Sequence, residues 1–381
     1  MISSLSLIRF RNYLNETINI KNNIVVLYGD NGEGKTNILE AISILADGKG
    51  LRRADTDSLI NKDTSEQLWS IDAIINSTAI SVGFVKGDKS GKKIYKVNGK
   101  TVKNLNEFRE KNHILWMTSE NDRLFVQSPA NRRNFIDMFC NSVDAEHTTY
   151  LRAYEKLIRD RMVVLKNDYN ENSEDTSKWL DILEKQICEV GLKVAKNRIE
   201  MTENLEQCQL ASNDFPSFTN KMIGTLENEI LNIANETNVL DMYQKALKER
   251  RLKDSVTGTT TIGINRSDWS VHHIVNDINA NQCSAGEQKM LLIGIFLSFI
   301  INKIKDDNWI ILLDDIVAHL DEKYSLILLR YIKKLVHDNR DKIDVWLSGT
   351  SVSDFSALDG FAQFFEIDNG KVSEKENKYD N

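Results

Sequence analysis

The segment that most constrains the fold is residues 24–46, IVVLYGDNGEGKTNILEAISILA. Its apolar, β-branched start, Ile24–Tyr28, predicts a buried strand, and apolar residues recur at helical spacing from Ile38 onward. The intervening residues fit the pattern G-x-x-x-x-G-K-[ST] and comprise Gly29, Asp30, Asn31, Gly32, Glu33, Gly34, Lys35 and Thr36. Strand, glycine-rich loop and helix in this order are the context that a phosphate-binding loop requires.

The phosphate loop predicts a nucleotide site for ATP and Mg²⁺. Its glycines would let backbone N–H groups point at phosphate oxygens, and the helix N-terminus would add its dipole. Lys35 would reach the β- and γ-phosphates, and the Thr36 hydroxyl would ligate Mg²⁺. The alternative is a glycine-rich turn that fits the pattern by chance, which the flanking strand and helix make the less favoured interpretation.

A second acidic motif supports the same chemistry. An apolar strand at residues 309–313 ends in Asp314 and Asp315, as in a Walker B motif. In that motif Asp314 holds Mg²⁺, and Asp315 orients or deprotonates the attacking water. Many buried strands end in Asp, so this motif is informative only together with the phosphate loop. We therefore expect Asp315 and Lys35 to be the catalytic residues.

Residues 284–288, SAGEQ, precede an apolar helix predicted at residues 290–301. Ser284 and Glu287 have the spacing of a capping box, in which each side chain bonds the other residue's backbone N–H. A capped helix N-terminus beside a glycine is also suited to binding a γ-phosphate. The two interpretations are compatible.

The composition is that of a globular protein, with 41% hydrophobic and 28% charged residues among 381. The four cysteines lie far apart, which indicates neither a disulfide framework nor a zinc site. The apolar run 290–301 is too short to span a bilayer, so we expect a cytoplasmic protein. The net charge of −7 requires any DNA-binding surface to be a local patch. One candidate is the basic loop with Lys49, Arg52 and Arg53; a solvated turn explains it equally well.

The order of patterns predicts an α/β nucleotide-binding domain interrupted by helices. We expect residues 1–130 to form its first half, 131–255 a helical arm, and 256–381 its second half with SAGEQ and the acidic pair. Two amphipathic helices joined by a polar loop at residues 168–177 predict an antiparallel hairpin in the arm. Residues 215–252 also have a helical pattern, and the Thr-rich segment 258–264 is predicted to be a strand.

These motifs together resemble the ABC-type ATPase head, and more specifically the RecF family of bacterial recombination-mediator ATPases. The resemblance rests on LSLIRFRNY, KGLRRA, SPANRRNFID, SAGEQKMLLIG and the AHLD that follows ILLDD, and it covers the whole chain. It implies an ABC-ATPase-type head, with a mixed sheet around the phosphate loop, an antiparallel β subdomain and an inserted α-helical arm.

The resemblance also implies a function. In this family two heads dimerise with ATP between them, bind double-stranded or gapped DNA, hydrolyse ATP weakly, and act with RecR and RecO in loading the recombinase. The residues that would contact the nucleotide from outside the phosphate loop are Arg11 and Asn12 within one subunit, and Ser284, Gly286 and Gln288 from the other. Asp321 would lie in the dimer-contact loop.

The chain departs from the family patterns at several places. Asp315 is shorter than the Glu usual in ABC-type ATPases, and Ser348 follows strand 345–347 where these ATPases carry a His. No Gln occurs at residues 118–122, and segment 263–268 lacks the Pro and His of the family's GPHRSD. Two alternatives remain: a transporter-type ATPase subunit, and an SMC-like structural protein, which would need a longer coiled coil.

Overall fold

The computed structural model describes residues 1–47, 50–87, 91–167, 174–210, 214–232, 235–304 and 307–375. Lys49 and most of the predicted polar loop at residues 168–177 lie outside these ranges. The strands of the described residues are β1 Ile2–Phe10, β2 Tyr13–Asn19, β3 Ile24–Tyr28, β4 Leu68–Ile75, β5 Thr78–Val85, β6 Lys92–Val97, β7 Lys100–Val102, β8 Asn112–Thr118, β9 Phe218–Ile223, β10 Asp268–His273, β11 Ile278–Asn279, β12 Asn308–Asp314, β13 Ile343–Gly349, β14 Gln363–Asp368 and β15 Lys371–Lys375. The helices are α1 Lys35–Asp47, α2 Asn106–Arg109, α3 Pro129–Val143, α4 His147–Asn167, α5 Glu174–Gln207, α6 Thr225–Asn232, α7 Glu236–Glu249, α8 Arg251–Thr257, α9 Ala285–Lys303 and α10 Glu322–Asp338.

The chain forms two compact units. The first joins Met1–Asp122 to Ile300–Asn381, so the two ends of the chain fold together. The second is Arg123–Phe299, which lies between them in sequence. The helical arm expected at 131–255 falls within this second unit, which also contains the SAGEQ segment.

The first unit contains a mixed sheet that carries the phosphate loop. Its strand order is β15-β14-β3-β13-β12-β8, in which β14, β3, β13, β12 and β8 run parallel and β15 pairs antiparallel with β14. The register places Tyr28 beside Gly349, and Leu313 beside Leu347. The carboxyl ends of β3, β12 and β13 therefore lie together at one edge, where ligands of parallel sheets usually bind.

A second six-stranded sheet, β2-β1-β4-β5-β6-β7, is antiparallel throughout. Its apolar face and α1 contribute to the same buried core, which includes Leu5, Phe10, Ile42 and Trp69. Asn98 and its following glycine, both with positive φ, join β6 to β7 as a two-residue hairpin turn. The predicted fold class, an ABC-ATPase-type head with an antiparallel β subdomain, is confirmed.

The second unit contains the predicted helical hairpin. Arg161 of α4 bonds Glu184 of α5 at 2.9 Å, whereas Tyr154, earlier in α4, lies against Gly191, later in α5. Residue numbers thus rise along one helix as they fall along the other, so the pair is antiparallel. Arg161 is fully buried and also bonds Asp254 of α8 at 2.7 Å, so its charge is neutralised inside the unit.

Two secondary-structure predictions for this part of the chain are wrong. Residues 215–252 are not all helical, because Phe218–Ile223 forms β9, which pairs antiparallel with β10 and buries alternate side chains. Residues 258–264 form no strand. Neighbouring side chains bond their backbone instead: Thr261 N–H donates to Asp254 Oδ1 at 3.0 Å, and Arg266 Nε donates to the Thr260 carbonyl at 3.0 Å.

Helix α9 is longer than the apolar run that predicted it. Its 19 residues are long and apolar enough to meet a membrane-span criterion based on length and composition. However, 72% of that apolar window is buried inside the protein, as in the core helix of a folded domain. Its interior contacts include Phe296 and Phe299, both of which pack against Phe139 of α3. The helix predicted at residues 290–301 is thus present, and its apolar residues at 290–300 are buried.

Candidate nucleotide-binding site

The phosphate loop connects the end of β3 to Lys35, the first residue of α1. Gly29 has φ +146, and a Cβ there would lie 2.3 Å from the carbonyl oxygen of Ile367 in β14. Gly34 has φ +122, and its Cβ would meet the side chains of Asn12 and Tyr13. Both positions therefore require glycine, because the backbone is left-handed and its neighbours are too close for a side chain.

Lys35 is 4% exposed, and its ammonium is held across its own loop. Nζ donates to the carbonyl of Gly29 at 2.7 Å and to that of Asp30 at 2.8 Å. The positive charge is thus fixed inside the loop at the N-terminus of α1, where the helix dipole also favours an anion. This arrangement fits a bound phosphate chain.

The acidic pair meets the phosphate loop at the carboxyl edge of the sheet. Thr36 Oγ1 donates to Asp314 Oδ1 at 3.0 Å, and Ser348 Oγ donates to the same oxygen at 2.7 Å. Burial raises the pKa of Asp314, and a bound divalent cation would offset that cost of charge. The described residues contain no group of three or more His, Cys, Asp or Glu suited to a metal. The adjacent oxygens of Thr36 and Asp314 nevertheless fit Mg²⁺, because this ion needs few protein oxygens and completes its shell with phosphate and water.

Asp315 follows directly and is half-buried. Its φ of +52 is left-handed, a conformation that Asp tolerates better than most residues. Its backbone N–H donates to Ser348 Oγ at 2.9 Å. Asp321, six residues further on, is the N-cap of α10 and accepts from the Tyr324 N–H at 2.8 Å. The structure thus gives Asp321 a capping role, whereas Asp315 lies beside the predicted magnesium ligands.

Arg11 and Asn12 both contact the phosphate-loop region, in different ways. Arg11 makes two 2.8 Å hydrogen bonds to the fully buried carboxylate of Glu40 in α1. Asn12 Nδ2 donates to the Glu33 carbonyl at 2.6 Å, and Asn12 Oδ1 accepts from Asn37 Nδ2 at 2.8 Å. Asn12 thus braces the loop itself, and Arg11 braces the helix that follows it.

The basic loop divides into two kinds of residue. Arg52 donates to Asn37 Oδ1 at 2.7 Å and lies 3.6 Å from Glu40, so it is engaged beside α1. Arg53 is exposed, and no hydrogen bond or ion pair of its side chain is seen among the described residues. Lys49 lies outside those residues. Both arginines are exposed, but among the described residues only Arg52 has side-chain partners.

In the second unit, the SAGEQ segment begins α9 with the predicted capping box. The Ser284 N–H and Oγ donate to Glu287 Oε2 at 2.8 and 2.7 Å, and the Glu287 N–H donates to Ser284 Oγ at 3.4 Å. The bonds from Ser284 lower the pKa of Glu287. A Cβ on Gly286 would meet nothing within 4 Å. Gln288 instead is buried and donates to the Cys283 carbonyl at 2.8 Å, so of the three residues predicted to contact the nucleotide of the other subunit, Ser284 and Gly286 are accessible to solvent and Gln288 is not.

Segment 263–268, which departs from the family pattern, is bonded to another family-like segment of the same unit. Arg132 makes two hydrogen bonds to Asp268, at 2.7 and 2.8 Å, and Arg133 donates to the Ser267 carbonyl at 2.5 Å. Both arginines belong to the family-like SPANRRNFID segment. The two family-like segments therefore hold each other in place, and sequence reasoning gave no sign of this pairing.

The chain is similar to known proteins in both sequence and fold. Residues 1–343 match the family described as RecF/RecN/SMC N terminal domain. The chain is 33% identical to the "DNA replication and repair protein RecF" of Agrobacterium fabrum, over 98% of both chains. It is similar to a solved structure described as the recombination mediator protein RecF-ATP in the RecFOR pathway, with 21% identity, a TM-score of 0.80, and 98% and 97% of the two chains covered. A Pyrococcus furiosus Smc head domain has a TM-score of 0.52 at 14% identity, covering 98% and 96%.

Proposed function

The chain belongs to the RecF family, within the RecF/RecN/SMC group, and we propose that it is an ATP-dependent DNA-binding protein of recombinational repair and replication restart. The observation that carries the proposal is the meeting of Lys35, Thr36 and Asp314 at one edge of the parallel sheet. The relative from Agrobacterium fabrum is named for DNA replication and repair, and the solved RecF structure is described with ATP.

The site supports slow ATP hydrolysis. Lys35 would bind the β- and γ-phosphates, and Thr36 and Asp314 would hold Mg²⁺, which supplies charge neutralisation on the phosphates when it is bound. Asp315 would orient the attacking water or accept its proton. The Asp315 side chain is one methylene shorter than that of Glu. This is consistent with a weak ATPase in which hydrolysis releases the protein from its complex with DNA, in place of one that turns over rapidly.

A second copy of the chain would complete the site. Ser284 and Gly286 are accessible at the N-terminus of a 19-residue helix, and a Cβ on Gly286 would meet nothing within 4 Å. Such a terminus suits the γ-phosphate held by the other copy. Gln288 would have to leave its bond to Cys283 to take part, so we assign the first contact to Ser284 and Gly286, and the dimer contact after the acidic pair to the Asp321 loop.

The dimer would bind double-stranded or gapped DNA in the cytoplasm and act with RecR and RecO, in keeping with the RecFOR pathway to which the solved relative is assigned. Because the chain is acidic overall, phosphate contacts must come from local cations that dimerisation brings together in pairs. Lys49, Arg52 and Arg53 form the proposed contact, and Arg53 is the cleanest to test because Arg52 is also bonded beside the nucleotide site.

Arg53→Ala is expected to weaken duplex binding and to flatten its salt dependence. Each lost phosphate contact reduces the slope of log K against log salt by about one unit, and by about two if both copies contribute. ATP binding should not change, because Arg53 is exposed and outside the phosphate loop. Fluorescence anisotropy on a labelled duplex across a salt series, with ATP present, measures the slope.

Arg340→Ala is the matched control. Arg340 is also exposed and in the first unit, but it precedes β13 and so lies towards the amino ends of the parallel strands, away from the phosphate loop. A slope for Arg53→Ala equal to that of the wild type would remove this loop from the DNA surface. The arm would then be the next candidate through Arg250, since Arg251 is buried and paired with Glu184.

A further inference from the structure

Ser348 links the two acidic residues of the site to each other. It lies in β13 and is fully buried, beside the strands that carry the phosphate loop and the acidic pair. Its hydroxyl donates to Asp314 Oδ1 at 2.7 Å and accepts from the Asp315 backbone N–H at 2.9 Å. One side chain thus contacts the side chain of the first aspartate and the backbone of the second.

The direction of these bonds limits what Ser348 can do. A serine hydroxyl has a single proton, and here that proton is donated to Asp314. Ser348 occupies the position where ABC-type ATPases carry a His, but its proton is donated to Asp314 and is not available to a phosphate. We propose that Ser348 is a positioning residue, whose hydroxyl fixes the Asp314 carboxylate for Mg²⁺ and holds the Asp315 backbone in the conformation that directs its side chain.

The neighbouring bonds support this role. Thr36 Oγ1 and Ser348 Oγ both donate to Oδ1 of Asp314, so they fix the rotamer of the carboxylate without using Oδ2. At Asp315, φ is +52, and a backbone in that region persists only where its surroundings hold it. The Asp315 N–H bond to Ser348 holds one side of this residue, and on the other side the Asp315 carbonyl accepts from the Ala318 N–H at 3.1 Å. Removing a group that orients a metal ligand in this way commonly lowers metal affinity by about 10- to 100-fold.

The inference rests on the proposed ATP site, and its test separates the hydroxyl from the packing. Equilibrium binding of a fluorescent ATP analogue is measured with excess Mg²⁺ and with EDTA, for the wild type, Ser348→Ala, Ser348→Thr and Ser348→Val. Thr and Val have nearly the same shape, but only Thr keeps the hydroxyl. Thermal unfolding of each variant without nucleotide reports any loss of packing.

We expect nucleotide affinity in EDTA to be unchanged in all three variants, because Ser348 does not contact the phosphate loop lysine. The tightening by Mg²⁺ should fall roughly 10- to 100-fold in Ser348→Ala and Ser348→Val, and should be kept in Ser348→Thr. Equal tightening by Mg²⁺ in all four proteins would overturn the positioning role and leave the ATP site intact. Equal losses in Thr and Val would also overturn it, since packing would then be the cause. A wild type that binds no ATP would overturn the proposed function, and this role with it.

Discussion

Lys35→Met is expected to reduce ATP affinity by roughly 30- to 4,000-fold. Removing one member of a buried, hydrogen-bonded charge pair costs about 2–5 kcal/mol, and each ~1.4 kcal/mol is a factor of ten. Lys35 is 4% exposed, and Met replaces it with a side chain of similar length that carries no charge. Isothermal titration with ATP and Mg²⁺ measures the change.

The substitution also removes the donor to the carbonyls of Gly29 and Asp30. Leaving such acceptors unpaired costs about 1–3 kcal/mol, so thermal unfolding without nucleotide must accompany the titration. We expect Lys35→Met to remain folded, because two other side chains also hold the loop. Asn12, in the turn before β2, bonds the Glu33 carbonyl, and Tyr13, the first residue of β2, bonds the Gly34 carbonyl. A folded Lys35→Met that binds or hydrolyses ATP at the native level would show that the phosphate site is misassigned.

Ser284→Arg is expected to abolish ATP-dependent dimers while each chain still binds ATP. Ser284 directly precedes α9 and is exposed, so Arg would place a long side chain on the surface proposed to face the second copy. Losing the cap costs about 1 kcal/mol of helix stability, which is too little to unfold a domain. Sedimentation velocity with and without ATP reports the dimer, and ATP titration reports the site within one chain.

Gly286→Leu is the companion variant, because it leaves the Ser284–Glu287 capping box intact. A Cβ on Gly286 meets nothing within 4 Å, so a single chain has room for a side chain there. Both variants should be monomeric in ATP. A Gly286→Leu protein that dimerises as the wild type does would mean that this helix terminus does not face the second copy.

Asp315→Asn should have the opposite effect on assembly. The dimer should accumulate in ATP, because the contacts to phosphate remain and the activation of water is lost.

Much of the fold was predictable because its signals are local. The phosphate loop, the strand that ends in Asp314 and Asp315, and the capping box each lie within a short window, and all have the predicted local structure. The helical hairpin was equally predictable from its spacing of apolar residues. Local patterns failed where nearby polar side chains bond the backbone groups that a strand would have paired, as Asp254 and Arg266 do at residues 260–261.

The supporting residues of the site were not predictable, because their partners are distant in sequence. Ser348 bonds Asp314 across 34 positions, and Glu40 bonds Arg11 across 29. Neither Ser348 nor Glu40 belongs to a motif. A buried acid in the middle of an apolar helix, as Glu40 is in α1, was the one signal that a partner must exist. For Ser348 the only sign was that it stands where ABC-type ATPases carry a His.

The most direct test of the account is a titration of the wild-type protein onto labelled duplex DNA with Mg²⁺, in the presence and absence of ATP. If ATP pairs two heads and thereby doubles a small basic patch on an acidic protein, binding should be much tighter with ATP and should weaken steeply as salt rises. Lys35→Met should bind DNA equally weakly in both conditions. DNA affinity that is the same with and without ATP in the wild type would contradict the coupling of nucleotide to DNA on which the account depends.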